Sequence, residues 1–193
     1  MVKVHSEDDL EILKDKVTEW EKRTGLVMEY DFYTKVYQKD VNNYIVINDK
    51  GEYKCKGAYV KKLHDLDYDL PIVNKALKNY FINNIPPERT IYDCNDLREF
   101  QKIVKVSGKY KYAVHGDQIL SERVLRVFAS RSRNDLGLFK VHKSKTSLDK
   151  VANTPERCFI ENDDIFNVHV PSKLDKSWYV DLAWKRIKDF IGE

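Results

Sequence analysis

Little in this chain of 193 residues can tie distant segments together covalently. Its three cysteines, Cys55, Cys94 and Cys158, are odd in number, far apart and without a Cys-x-x-Cys pair. That argues against a disulfide framework or a zinc site and fits reduced thiols. Seven glycines and five prolines are few, and no Ser/Gly-rich or low-complexity tract occurs, so the pieces are expected to pack together. No run approaches the roughly 20 apolar residues that a membrane-spanning helix needs. Met1 to His5 leads into no apolar stretch, so secretion and membrane insertion are not expected and the expected compartment is the cytoplasm. There is no internal repeat. No Gly-rich loop runs into Lys-Ser/Thr, which argues against an ATP-hydrolysing motor. His5, His64, His115, His142 and His169 are scattered without a Cys or His at ligand spacing, and no set of nucleophile, base and orienting acid emerges.

What is present is a folding composition: 42% hydrophobic residues, 12% aromatic and 34% charged, at a length that suits one domain or two small ones. The net charge is only +3, but it is unevenly spread. The opening segment carries Glu7, Asp8, Asp9, Glu11, Asp15, Glu19 and Glu21. Between Arg98 and Lys145 the balance reverses, with Lys102, Lys105, Lys109, Lys111, Arg123, Arg126, Arg131, Arg133, Lys140 and Lys143 facing few acids. Such a middle segment is either a solvated surface or a contact face for a polyanion.

Periodicity places the elements. Ser6 followed by Asp9 reads as a variant capping box, and Leu10, Leu13, Val17 and Trp20 recur at helical spacing until Gly25. Residues 26–33 alternate, predicting a strand with Glu29 and Asp31 on one face. Tyr44-Ile45-Val46-Ile47, the turn Asp49-Lys50-Gly51 and Glu52-Tyr53-Lys54-Cys55-Lys56 predict a hairpin that puts Lys54 and Lys56 on one face. Asp69-Leu70-Pro71 opens a second helix through Ile72, Ala76, Leu77, Tyr80 and Phe81, ended by Pro86-Pro87. Asn95 is expected to cap a third helix carrying Leu97, Phe100 and Val104, closed by Ser107-Gly108. Residues 109–114, 124–129 and 138–141 look like strands, and 175–191 is a helix packed through Tyr179, Leu182, Ala183, Ile187 and Phe190. The fold class that follows is α+β.

Several ordered blocks carry a resemblance. The acidic segment Leu26-Val27-Met28-Glu29-Tyr30-Asp31-Phe32-Tyr33 precedes a basic-aromatic stretch ending in Tyr44, and a hairpin then leads to Lys56-Gly57 and Lys61-Lys62. VANTPERCFI (151–160) and LDKSWYVDLAWKRIKDF (174–190) follow. In this order they resemble the C-terminal palm and thumb of family B DNA polymerases, especially the bacteriophage members. The resemblance implies antiparallel palm-edge strands with an N-terminal helix, residues 1–68, followed by a mixed helical and β-hairpin thumb, residues 69–193. It also implies binding of primer-template DNA during replication, with the remainder of the polymerase (exonuclease, palm and fingers) as partner, and no membrane. A phage-encoded chain would then lie in the host-cell cytoplasm.

Two departures bear on activity. The family's Asp-Thr-Asp metal-binding tripeptide has no counterpart here, so the chain is expected to start downstream of it, to be inactive alone as a nucleotidyltransferase, and to bind no cofactor itself. The Mg²⁺ ions belong to the complete polymerase. Asn42 stands where the family's primer-binding motif has a second Lys, which replaces a point charge by an amide and leaves Lys39 as the nearby cation. By resemblance, Lys39, Asn42, Tyr44, Lys56 and Gly57 contact the primer side. Lys61, Lys62, Arg131, Arg133 and Lys140 are expected phosphate partners, although each also reads as a solvated charge. Glu29 and Asp31 are expected near the active site, supporting the metal ligands without holding an ion; two solvent-facing acids is the competing reading. Tyr110 and Tyr112, interleaved with Lys109 and Lys111, either stack on bases or form the core and rim of a strand. Asp163-Asp164 and Asp65-x-Asp67-x-Asp69 sit beside turn signals and read as caps. Two other functions stay open: a free-standing DNA-binding replication accessory protein, and a small metal-dependent nuclease using Glu29 and Asp31.

Overall fold

The computed structural model describes residues 2–57, 69–144, 147–163, 165 and 169–192. They fall into two compact units, Met1–Tyr33 and Thr34–Glu193. The expected boundary at residue 68, together with Lys61 and Lys62, lies outside the described residues.

The first unit is built on helix α1, Glu7–Thr24. Ser6 Oγ accepts from the Asp9 N–H at 3.1 Å, as the spacing predicts, and the Asp9 carboxylate reaches back to accept from the N–H of His5, the residue before the cap, at 3.3 Å. Gly25 stops the helix at φ 71°, its N–H donating to Glu21 O at 2.8 Å. No α1 residue is buried; Leu10, Leu13, Val17 and Trp20 are half-covered. The strand expected over 26–33 does not form. A strand needs a ladder partner, and none pairs with this segment among the described residues. The Met28 N–H donates to the Glu21 carboxylate at 2.6 Å instead, and Leu26, Val27, Met28, Tyr30 and Phe32 are 40–87% exposed.

Among the described residues the second unit holds three antiparallel sheets. β1 (Lys35–Asp40), β2 (Asn43–Ile47) and β3 (Tyr53–Lys56) form a three-stranded meander. It extends the expected hairpin by a strand that polar Lys35-Val36-Tyr37-Gln38 did not advertise. Helices α2 (Pro71–Asn83) and α4 (Lys176–Ile191) pack on its inner face, and α3 (Pro87–Tyr92) packs against those two helices. Cross-strand partners Tyr37, Ile45 and Cys55 turn inward. Tyr37 meets Phe81 of α2 at 4.5 Å between ring centroids, and Phe81 meets Phe190 of α4 at 5.7 Å.

The other two sheets are β10-β7-β4 (Cys158–Ile160, Val124–Ala129, Lys102–Lys105) and β6-β5-β8-β9 (Gln118–Leu120, Tyr110–His115, Leu138–His142, Leu148–Lys150). Val104, Ala113, Leu120, Leu125, Val127, Leu138 and Cys158 form a second core with them. The helix expected from Asn95 to Gly108 is two elements. Asp96, not Asn95, caps a single 3-10 turn, Leu97–Phe100, which buries both apolar ends at i,i+3 spacing. Ile103 and Val104 then join β4 because a ladder with β7 is available. Asp69 locks this arrangement, accepting from Lys102 Nζ at 2.7 Å and from the Ile103 N–H at 2.9 Å. Among the described residues no helix is long and apolar enough to cross a membrane.

Tyr179 of α4 is fully buried, and its hydroxyl accepts from the Ala129 N–H at 3.0 Å. Tyr179→Phe leaves that buried donor unpaired and is expected to cost about 1–3 kcal/mol in urea unfolding. Burial pushes the Cys158 thiol up to about 12 and raises the Tyr179 phenol as well. Both groups stay neutral in the fold after an unfolded chain would have ionised. Their stabilisation is therefore complete below about pH 9 and is lost as pH climbs from there toward 12. Thermal melts are expected to show Tm falling steadily above pH 9, less steeply in Cys158→Ala.

Candidate nucleic-acid interface

The tight turn Asp40-Val41-Asn42-Asn43 joins β1 to β2 and organises one end of the meander. Asp40 is its keystone. Its carboxylate accepts from the Asn42 N–H at 2.8 Å and from Asn43 Nδ2 at 3.0 and 3.1 Å. The Asn42 N–H, then the Asn43 amide, with the nearby Lys39 charge adding to them, hold that carboxyl below the usual range.

Gly57, just after β3, packs against this turn. Its φ is +108°, and a Cβ there would approach Asn42 O to 2.5 Å and overlap the Asn43 side-chain amide. Residues fourteen or fifteen positions apart are therefore in close contact at one sheet end, and only glycine fits the joint. On the face turned away from the helices, Tyr44 and Lys56 are register partners, with Lys56 Nζ 6.0 Å from the Tyr44 ring centroid. Asn42 and Lys56 are exposed and Tyr44 is half-buried. This end thus offers an amide, a phenol and an ammonium side by side, a set able to hydrogen-bond and neutralise a phosphodiester.

Lys39 stands apart from them. It lies at the β1 bulge and reaches Asp189 of α4 at 3.9 Å, with both side chains partly exposed. The other cations expected as phosphate partners separate as well. Arg131 and Arg133 are exposed beyond the C-terminal end of β7, where the Arg131 N–H donates to Lys173 O at 2.9 Å. Lys140 sits mid-strand in β8; its Nζ donates to Lys105 O at 3.0 Å and lies 5.4 Å from the Tyr110 ring centroid. Partial burial, then the neighbouring Lys109 charge, pushes its pKa down. Tyr110 packs at the edge of the second core, its ring flanked by Lys109, Lys140 and His142.

Glu29 and Asp31 lie in the first unit on a segment without strand geometry, so the alternation that aligned them is lost. The Tyr33 hydroxyl donates to Asp31 at 3.0 Å. Among the described residues no three His, Cys, Asp or Glu side chains converge as metal ligands. Asp40 and Asn43 escaped sequence reasoning, although Asp-x-Asn-Asn between two strands is an Asx-turn signal.

No family model matches this chain, and no curated protein matches it.

Gly57→Ala is expected to lower stability by about 1–3 kcal/mol, because a β-carbon is strained at this φ and collides with the turn. Urea titration checks the cost. Amide exchange in β1 and β2 is expected to quicken with it.

Proposed function

We propose that this chain is the duplex-holding C-terminal part of a phage-type family B DNA polymerase, working with a separate protein segment that carries the metal-binding carboxylates. One observation carries the reading. The resemblance drew Asn42-Tyr44 and Lys56-Gly57 from separate stretches of sequence, and the two stretches meet at one end of the meander, with Gly57 against the Asn42-Asn43 backbone. A contact made of an amide, a phenol and an ammonium suits backbone grip, which a replicating enzyme needs in preference to base-edge readout.

The exposed apolar run from Leu26 to Phe32 supports a chain that completes a larger fold over a free-standing accessory protein. In that assembly, phosphoryl transfer would use two Mg²⁺ ions held by the partner segment. This chain's own residues would hold the primer-template backbone in register.

The test mixes this chain with a palm-bearing fragment and follows primer extension. Synthesis is expected only from the mixture. Lys56→Ala is expected to weaken duplex binding about five- to tenfold at low salt and to flatten the log-log salt dependence by about 0.9, the mark of one lost phosphate contact. Duplex binding without restored synthesis would favour the accessory protein. Mg²⁺-dependent DNA cleavage by the isolated chain would favour the nuclease.

A further inference from the structure

Six cations gather where four segments of the second unit end. Lys105 closes β4, Lys109 precedes β5, Lys111 sits at the β5 bulge, Arg123 precedes β7, and Lys140 and Lys143 lie in and after β8. Their convergence is fixed by bonds. Arg123 Nη1 donates to Tyr110 O at 3.0 Å, the Val106 N–H to Arg123 O at 2.8 Å, and the Lys143 N–H to Lys109 O at 3.0 Å. Lys109 and Lys140 share one aromatic ring, their Nζ atoms 5.1 and 5.4 Å from the Tyr110 centroid. His142 meets the edge of the same ring at 5.6 Å between centroids.

None of the six forms an ion pair with a carboxylate among the described residues. The acids nearest in register are Glu122, beside Arg123, and Asp149, opposite Lys140, and neither closes a bridge to them. Three other lysines of this unit do meet a carboxylate: Lys102 with Asp69, Lys150 with Glu156 and Lys173 with Asp135. Clustered like charges oppose the compact state unless something anionic neutralises them.

We infer that the strand ends around Tyr110 form a second nucleic-acid contact, in which Lys105, Lys109, Lys111, Arg123, Lys140 and Lys143 take successive phosphates of a phosphodiester backbone. Six cations from separate segments exceed what one free phosphate can neutralise, so the ligand is a polyanion. Tyr110 positions ammonium groups here and does not stack on a base, since its ring is already flanked by cations and His142. A lipid surface fits less well. The exposed apolar side chains beside the cluster, Val124 and Leu148, lie on strands of different sheets and make no face that would sink into a bilayer. The contact is on different strands from the meander end and stands whether or not the polymerase reading does.

The experiment uses the intact chain and no polymerase partner. Anisotropy of a labelled short duplex and of a labelled single strand is followed across a salt series. The readings compare wild type with Lys105→Gln/Lys109→Gln/Lys143→Gln, which leaves the Lys140 and Arg123 bonds in place. Lys14→Gln/Lys16→Gln/Lys22→Gln on α1 matches the loss of net charge. The first triple is expected to bind at least about tenfold more weakly and to flatten the duplex salt slope by about 2–3. The α1 triple is expected to bind as wild type does, and the three Lys→Arg changes at 105, 109 and 143 to keep binding. Equal losses in the two Gln triples, a failed Arg triple, or no DNA binding alongside binding to phosphatidylserine vesicles would each overturn the inference. Failure of primer extension in the mixed system would leave these readings untouched.

Discussion

Strand β7 has to serve two cores at once, and most of the second unit hangs on how it does so. Leu125 and Val127 face the core shared with β5 and β8, whereas Phe128 and Ala129 join the helical core. At that crossover each backbone group finds a partner from elsewhere in the chain. The Ala129 N–H goes to the Tyr179 hydroxyl, Ala129 O accepts from the Asp175 N–H at 2.9 Å, and the Ser130 N–H donates to Arg157 O at 2.9 Å. Helix α4 therefore begins where β7 ends, and the helical and β-rich parts of this unit share a joint made of buried hydrogen bonds. Such bonds contribute little each, but leaving any one unmade is expensive.

That joint bears on both candidate contacts. α4 carries Phe190 against Phe81, and Phe81 against Tyr37, so the meander rests on the helices that β7 anchors. The Asn42 and Lys56 end is thus the rim of a supported sheet, braced below by aromatic packing and closed by Gly57. At its start, β7 is flanked by Arg123, whose guanidinium and carbonyl tie the β5 and β4 ends together. Both candidate surfaces sit on strands and the turns that flank them, which fixes their side chains relative to the sheets.

What could be read from the chain beforehand follows a physical division. Local signals were reliable: the Ser6 and Asp9 cap, Gly25 as helix stop, the Tyr44 to Lys56 hairpin, Pro71 at the start of α2 and the strands expected at 124–129 and 138–141 are decided within a few residues. Misreadings arose where a distant partner decides. Residues 26–33 alternate well but find no ladder partner among the described residues, whereas Ile103-Val104 looked helical until β7 supplied one. The short strands β6, β9 and β10 have three residues each, too few for any period to register. Motif order singled out Asn42, Tyr44, Lys56 and Gly57 as candidates, and the fold brings them to one end of the meander. The basic interval was visible as composition, but its division into a Lys140 group at one end of β7 and an Arg131 group at the other depends on strand direction, which composition does not contain.

The modest net charge of +3 is consistent with strong backbone contact once its distribution is considered. At physiological salt a charge is felt over about 8 Å, so a phosphate responds to the nearest cations and hardly to the sum over the chain. Helix α1, in the first unit, carries seven acids against four bases, so the rest of the chain is more positive than the sum. Asp40 is the carboxylate inside the meander contact, and its oxygens are engaged by the Asn42 N–H and the Asn43 amide, with Lys39 as the nearest cation. Its charge is used to shape the turn that presents Asn42, at the cost of some local repulsion toward a phosphate. Around Tyr110 the logic is reversed: among the described residues no ion pair quenches the cations, and their mutual repulsion is what an arriving backbone would relieve. Local potential, not isoelectric point, is therefore the quantity that would govern an encounter of this chain with a polyanion.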